Sequence, residues 1–413
     1  DFLKLRASFG LVGNDKYSGA RFLYLDGSWT GNHAVWQNGY GSYQFGMGGS
    51  MTMLPDAVEN TVGNSEVTWE KVRKQNYGID LKMFGARLSL TADYFFEHRY
   101  DILSTRNTLP SIVAIELPLI NLGEVDNRGY EISLGWNSRT EKIDWWVQGN
   151  VSYSKNKIIF MDEVMPNYPW MAQTGRSTGL NYGYRFDRFL QADDFDADGA
   201  LKTDGEGKPL LPVMSLGSPR PGDALFKDLN GDGKIDGNDK TYFGYSQRPD
   251  YVLGLLGGFR YKNFEISMQW TAGLHASRML SGEYRNAFGS TNGRALLKFL
   301  ADGRWTPENP DARFPRLTFL NKSHYLEDSD LWLMDGSYLR LKVAEIGYTF
   351  RDIPAFRKVG VKSLKVYFSG YNLLTLFSDL NDIDIDPEGA TSGSNIDSYP
   401  NVRIFNFGVN ITF

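Results

Sequence analysis

The 413-residue chain contains no cysteine, so it uses neither disulfides nor thiolate metal sites. It has no run approaching the roughly 20 apolar residues of a membrane helix, and a chain of this kind can cross a bilayer only as a barrel. Histidine is scarce: His33, His98, His275 and His324 are scattered without metal-binding spacing and read as structural or loop-exposed. The net charge of −5 is mild, and no basic patch carries interleaved aromatics, so nothing supports nucleic-acid binding. No cleavable leader opens the chain, which begins at Asp1 directly in strand-like sequence. An exported barrel requires a leader, so the chain is expected to be the C-terminal part of a longer precursor.

What is present is alternation. Phe405, Phe407, Val409, Ile411 and Phe413 share one face of a C-terminal strand, and Asn406, Gly408, Asn410 and Thr412 share the other. Twelve residues suit a strand tilted across a bilayer, which needs roughly 9–11. The pattern recurs. Tyr130, Ile132, Leu134 and Trp136 oppose Glu131, Ser133, Gly135 and Asn137. Trp145, Val147, Val151 and Tyr153 oppose Gln148, Asn150, Ser152 and Ser154. Leu88, Leu90, Ala92, Tyr94 and Phe96 oppose Arg87, Ser89, Thr91, Asp93 and Glu97, and Phe264, Ile266, Met268 and Trp270 oppose Glu265, Ser267, Gln269 and Thr271. Second faces this polar fit a barrel with a wet interior, and an aromatic content of 14% fits interfacial girdles.

Turns set the direction. Short ones near Phe84-Gly85, Arg139 to Lys142 and Lys262-Asn263, with a basic link from Arg351 to Lys362, read as periplasmic. Gly-, Asn- and Asp-rich stretches at 14–65, 99–125, 157–249, 276–337 and 375–401 read as extracellular loops. Ten strands follow, at about 3–13, 66–81, 84–98, 126–138, 143–156, 250–261, 264–275, 338–350, 363–374 and 402–413. Alternating direction brings Phe413 to the periplasm. A break in phase predicts a β-bulge near Ala344-Glu345. The strand-like stretch 178–190 is assigned to folded extracellular structure, because one more crossing would spoil the parity.

The sharpest local motif runs from Asp228 to Asp239. Asp228, Asn230, Asp232, Asp236 and Asp239 stand at positions 1, 3, 5, 9 and 12, Gly233 allows the turn at position 6, and Lys234 offers a carbonyl at position 7. This is the EF-hand ligand pattern with Asp replacing the terminal Glu, and it predicts a structural Ca²⁺ site. Helical flanks are missing, which makes a loop staple the expectation and a sensor not. The stretch Asp193 to Gly199 reads as a solvated acidic loop. The carboxylates Glu308 and Asp311, or Asp382, Asp384 and Asp386, lack any cleft context for acid–base chemistry. Trp29, Trp36, Trp170, Trp305 and Trp332 read as loop-packing residues. No catalytic or cofactor-binding residue is expected.

Several motifs resemble those of SusC/RagA-like TonB-dependent outer-membrane transporters of Bacteroidetes. They are Leu3 to Gly10 with Gly13-Asn14, Trp69-Glu70, Asn76 to Asp80, Asn127 to Glu131, Pro221 to Asp223, Tyr261 to Phe264, Arg304 to Pro310, Ser337 to Arg340, Gly347 to Phe350, Asn372-Leu-Leu, Asp386 to Glu388 and Tyr399 through Phe413. The resemblance implies that residues 1–413 are the C-terminal part of a transmembrane antiparallel β-barrel of about 22 strands with long extracellular loops. It also implies a plug and a TonB-contacting segment, neither found in this chain. The implied function is active import of an oligosaccharide or peptide across the outer membrane of a Gram-negative bacterium. The implied partners are membrane lipid, TonB through the missing N-terminal part, and a SusD-like surface lipoprotein, with a possible dimer of the transporter–lipoprotein pair. The alternatives are a calcium-stapled surface glycan-binding or glycan-cleaving protein, or a structural envelope protein without transport.

Overall fold

The computed structural model describes residues 1–16, 22–25, 42–45, 52–55, 63–108, 118–140, 142–215, 217–288, 296–319, 323–351, 353–354, 360–389 and 401–413. Ten long strands form one sheet: β1 (Phe2–Asn14), β2 (Glu70–Met83), β3 (Leu88–Ser104), β4 (Ile120–Arg139), β5 (Ile143–Phe160), β6 (Tyr251–Tyr261), β7 (Phe264–Leu274), β8 (Tyr338–Arg351), β9 (Ser363–Leu376) and β10 (Ile404–Thr412). Each pairs antiparallel with its neighbour in sequence, in the order β1 to β10. All ten expected strands are present.

The register aligns the separate alternations. Leu5 pairs with Ile79, Ile79 with Ala92, Ala92 with Ile132, Ile132 with Val151, Val151 with Leu253, Leu253 with Ala272, Ala272 with Leu339 and Leu339 with Leu376. The adjacent row, Arg6, Gly78, Asp93, Glu131 and Ser152, turns the other way. One face of the sheet is therefore apolar on all ten strands and the other is largely polar. Leu5, Phe9 and Phe407 are 75%, 73% and 74% exposed, so the apolar face is not a core. A face this broad is far larger than the apolar patch a water-soluble monomer tolerates, and hydrocarbon is the surrounding it suits. Tyr251 and Tyr261 bracket it on β6. Ten rises of about 3.4 Å, tilted by about 40°, give a band roughly 26 Å tall, close to the thickness an outer-membrane barrel presents to lipid.

The turns at one end are tight. Tyr261 faces Phe264 across Lys262-Asn263, with Lys262 left-handed at φ 54°. Met83 faces Leu88 across Phe84 to Arg87, and Arg139 faces Asp144. Half of the link from Arg351 to Lys362 lies outside the described residues, as do much of 14–65 and of 375–401.

The bulge lies earlier than expected. Trp270 pairs with Leu341 and Gln269 with Val343, so the extra residue is Lys342 and not Ala344-Glu345. Val343 is apolar yet faces inward with Gln269, which is why the phase break reads two residues late from side-chain character alone. On β9 the same irregularity puts Asn372 at φ 51°.

At the opposite end the excursions fold on themselves. Asn181–Gly183 pairs with Thr241–Phe243, Phe186–Phe189 with Ala224–Phe226, and Ser277–Met279 with Leu333–Asp335. The stretch 178–190 is thus loop structure, as parity required. Two buried clusters sit within this cap. One gathers Leu190, Ala224, Phe226 and Ile235 with Tyr184; the other gathers Leu280, Leu300, Phe314, Trp332, Met334, Leu380 and Ile383. Leu331 packs against both.

Candidate functional site

Three excursions build the cap, and ion pairs join them. Asp223 is fully buried, and its carboxylate accepts from Arg316 Nε at 2.7 Å and from the Arg220 amide at 2.9 Å. Gly222 makes the approach possible. Its φ is +86°, and a Cβ there would meet Trp305 Cε3 at 2.4 Å and Arg316 Cβ at 2.8 Å. Trp305 donates to Gln191 Oε1, and the Tyr184 amide donates to the Asp328 carbonyl at 2.8 Å. Excursions 157–249 and 276–337 are thereby one folded unit.

The third excursion is fastened to the sheet itself. Arg340, on the inward face of β8 and 4% exposed, donates to Asp386 Oδ1 at 2.7 Å and to Glu388 Oε2 at 2.9 Å. Lys342, the bulge residue, also reaches Glu388. Burial opposes ionisation of Asp386, yet Arg340 and the amides of Glu388 and Asn401 outweigh it and hold the carboxyl below its usual range.

Asp228 to Asp239 form a single tight loop. Asp228 accepts from the amides of Gly231 and Gly233, Asn230 from Asp232, Asp232 from Lys234 and Asp236 from Asn238. Asp239 is fully buried and accepts from Leu229 and Asp236 at 2.8 and 2.9 Å. Gly233 is left-handed at φ +81°, as its position in the pattern demands. The loop is docked on Tyr168 and Trp170, stacked at 4.5 Å, with Trp170 Nε1 donating to the Asn238 carbonyl. Among the described residues no three His, Asp or Glu side chains converge into a preformed metal cluster. The oxygens that bind amides keep further lone pairs, and the set of hard oxygen donors suits Ca²⁺ chemically.

The other sequence candidates resolve into structure. Asp194 pairs with Arg188 at 2.7 Å, which lowers its pKa, and Asp196 accepts from the amides of Asp198 and Ala200. Trp305 and Trp332 are buried within the cap. Trp29 and Trp36 lie outside the described residues. His324 is buried with Nε2 3.0 Å from the Gly217 carbonyl. Burial raises the Tyr184 phenol to about 12. Local patterning gave no sign of Arg316–Asp223 or Arg340–Asp386, whose partners are 93 and 46 positions apart. The available hint was that three of the four residues lie in the motifs Pro221 to Asp223, Ser337 to Arg340 and Asp386 to Glu388.

The inward wall is lined with charge. Arg6 bridges Asp80 and Asp93 at 2.9 and 2.8 Å; Lys365 bridges Glu345 and Glu265 at 2.8 and 3.8 Å. A polar wall, an apolar outside and a folded cap at one rim are the parts of a membrane barrel. Residues 8–373 match the family described as TonB dependent receptor-like, beta-barrel. The chain belongs to this receptor family. TonB-dependent receptor P3 of Formosa agariphila is 30% identical over 99% of this chain and 39% of its own length. TonB-dependent receptor SusC of Bacteroides thetaiotaomicron is 25% identical over 100% of this chain and 37% of its own. The solved RagAB peptide importer in its open-open state superposes with a TM-score of 0.66 at 19% identity, covering 100% of this chain and 40% of that one. The chain thus spans about two fifths of the length of the relatives it matches, and its ten strands belong to an outer-membrane β-barrel sheet.

Proposed function

We propose that this chain is the C-terminal barrel part of an active importer for a bulky nutrient, an oligosaccharide or peptide. In this reading the charged inner wall borders the passage and the cap forms the outer rim of the binding cavity. A SusD-like surface lipoprotein covers that rim, and TonB supplies energy through another part of the receptor. The observation that carries the reading is the combination of a polar, ion-paired inner wall with a cap that has its own apolar core. A soluble glycan-binding domain would have no use for an outward apolar face on ten strands. The names of two similar proteins, the TonB-dependent receptor SusC and the RagAB peptide importer, support the transport reading. The chain's role is binding and passage, without catalysis.

We further infer that Asp228, Asn230, Asp232, the Lys234 carbonyl, Asp236 and Asp239 hold Ca²⁺. The ion would neutralise four carboxylates crowded in one turn and stiffen the cap where it meets Tyr168 and Trp170.

Deleting most of 276–337 from the full receptor tests the main proposal. Growth on the imported nutrient should be lost and co-purification of the lipoprotein weakened, while the barrel still reaches the outer membrane. Unchanged uptake, or turnover of substrate by the purified receptor, would overturn it.

A further inference from the structure

Five rings form a continuous ladder on the outward face, at the loop-side end of the apolar band. Tyr130 lies 5.3 Å from Tyr153, Tyr153 4.6 Å from Tyr251, Tyr251 5.2 Å from His275, and His275 4.5 Å from Tyr245. On the turn side of the ladder, a groove of about 650 Å³ crosses the bare backbone of Gly149 between Ile132, Leu134, Leu255 and Trp270. On the loop side lies a recess of about 480 Å³ whose walls include Arg128, Lys155, Lys157, Asp126 and Asp250. Both belong to β4, β5 and their neighbours, one directly beyond the other along the same strands.

The recess is cationic because Arg128, Lys155, Lys157 and Arg176 line it against only two carboxylates, Asp126 and Asp250, each of which has a partner. Asp126 Oδ1 lies 2.7 Å from His98 Nδ1, and Asp250 lies 3.8 Å from Lys155 and 3.9 Å from His275. Lys157 stands directly across from Asp126 in the register and Arg128 across from Lys155. Among the described residues, neither Arg128 nor Lys157 pairs with a carboxylate, and both are exposed. Arg176, at the back of the recess, is held by the Ala172 and Trp170 carbonyls. Arg128 is two residues beyond Tyr130 and Lys157 four beyond Tyr153. At the strand rise and tilt used above, their Cα atoms lie roughly 5 to 10 Å above the tyrosines. That height is the polar headgroup layer of the outer leaflet, where lipid phosphates lie and charge-assisted contacts to Arg128 and Lys157 can form.

We propose that recess and groove together hold a phosphorylated glycolipid of the outer leaflet, its phosphate against Arg128 and Lys157 and its acyl chains in the groove over Gly149. The tyrosine ladder lies at the junction of sugar and chain, where amphipathic rings are favoured. The site faces away from the passage and is independent of import.

The test uses the full-length receptor, stripped of lipid in detergent and reconstituted in phosphatidylcholine nanodiscs containing lipid A. Native mass spectrometry then counts retained lipid A. Wild-type receptor should retain it, and R128Q/K157Q should retain less by about tenfold or more, since losing even one charge-assisted hydrogen bond is on that scale. Wild-type receptor offered dephosphorylated lipid A should retain little, and millimolar inorganic phosphate should not displace the intact lipid. Equal retention by the double variant, equal retention of the dephosphorylated lipid, or displacement by free phosphate would each overturn the proposal. The dephosphorylated arm needs no substitution, so it decides the matter even if the variant fails to assemble.

Discussion

Arg340 and Asp386 meet at 2.7 Å although 46 positions separate them, and the pair fastens the last long loop to the inner wall of β8. Both side chains are nearly buried, at 4% and 9% exposure. Removing one partner strands the other charge, which costs about 3–5 kcal/mol when a buried pair is broken. Arg340→Ala should therefore free the described part of the loop, residues 377–389, to hydrogen exchange and proteolysis while β8 and β9 stay protected. Unaltered loop exchange would refute the fastening role.

The same pair sets an acid limit. The Asp386 carboxyl is held below its ordinary value, so its stabilisation is complete above that value, near pH 4, and fades as pH falls through the lower folded value. Exchange of the loop amides should accelerate below about pH 4 in wild type and show no such step in Asp386→Asn.

Orientation can be tested on β10. Val409 pairs with Val366 on the outward face and Asn410 with Lys365 on the inward one. A charge facing lipid near the midplane costs about 2–4 kcal/mol. Val409→Arg should impair assembly, read as loss of heat-modifiable migration on gels, and Asn410→Arg should not. Equal tolerance would sink the orientation.

Chelation should loosen the cap without melting the sheet. EDTA or Asp232→Ala should raise protease cleavage between 228 and 239. Asp239→Ala should do more, because that buried carboxylate also accepts from the amides of Leu229 and Asp236. Cleavage that ignores both calcium and Asp232 would end the staple idea.

Trp332 is 1% exposed and stacks 5.9 Å from Phe314 at the centre of the larger cap cluster. Truncating a buried Trp to Ala costs about 3–5 kcal/mol. Trp332→Ala should lower the cap's melting transition and leave the barrel's unchanged, as followed by calorimetry of the full receptor.

The sheet was legible in the sequence because a period of two repeats locally in every strand, and polar inner faces such as Glu131, Ser133 and Gly135 leave little ambiguity of face. Lys342 was misplaced because Val343 is apolar while facing inward. The cap was legible only as loop, since its cores combine residues such as Leu225 and Tyr184, or Leu300 and Leu380, that share no periodic pattern. Asp223 and Asp386 stood in recognisable motifs, but their partners are set by tertiary packing, which no local window contains.

One cluster draws Leu280 and Trp332 from the excursion before β8, and Leu380 and Ile383 from the excursion after β9. Sealing of that cluster must therefore wait until β9 is in place, however early the preceding hairpins enter the membrane. The shielding of Trp332 from solvent thus acts as a clock for assembly, and its fluorescence would time the arrival of the last strands.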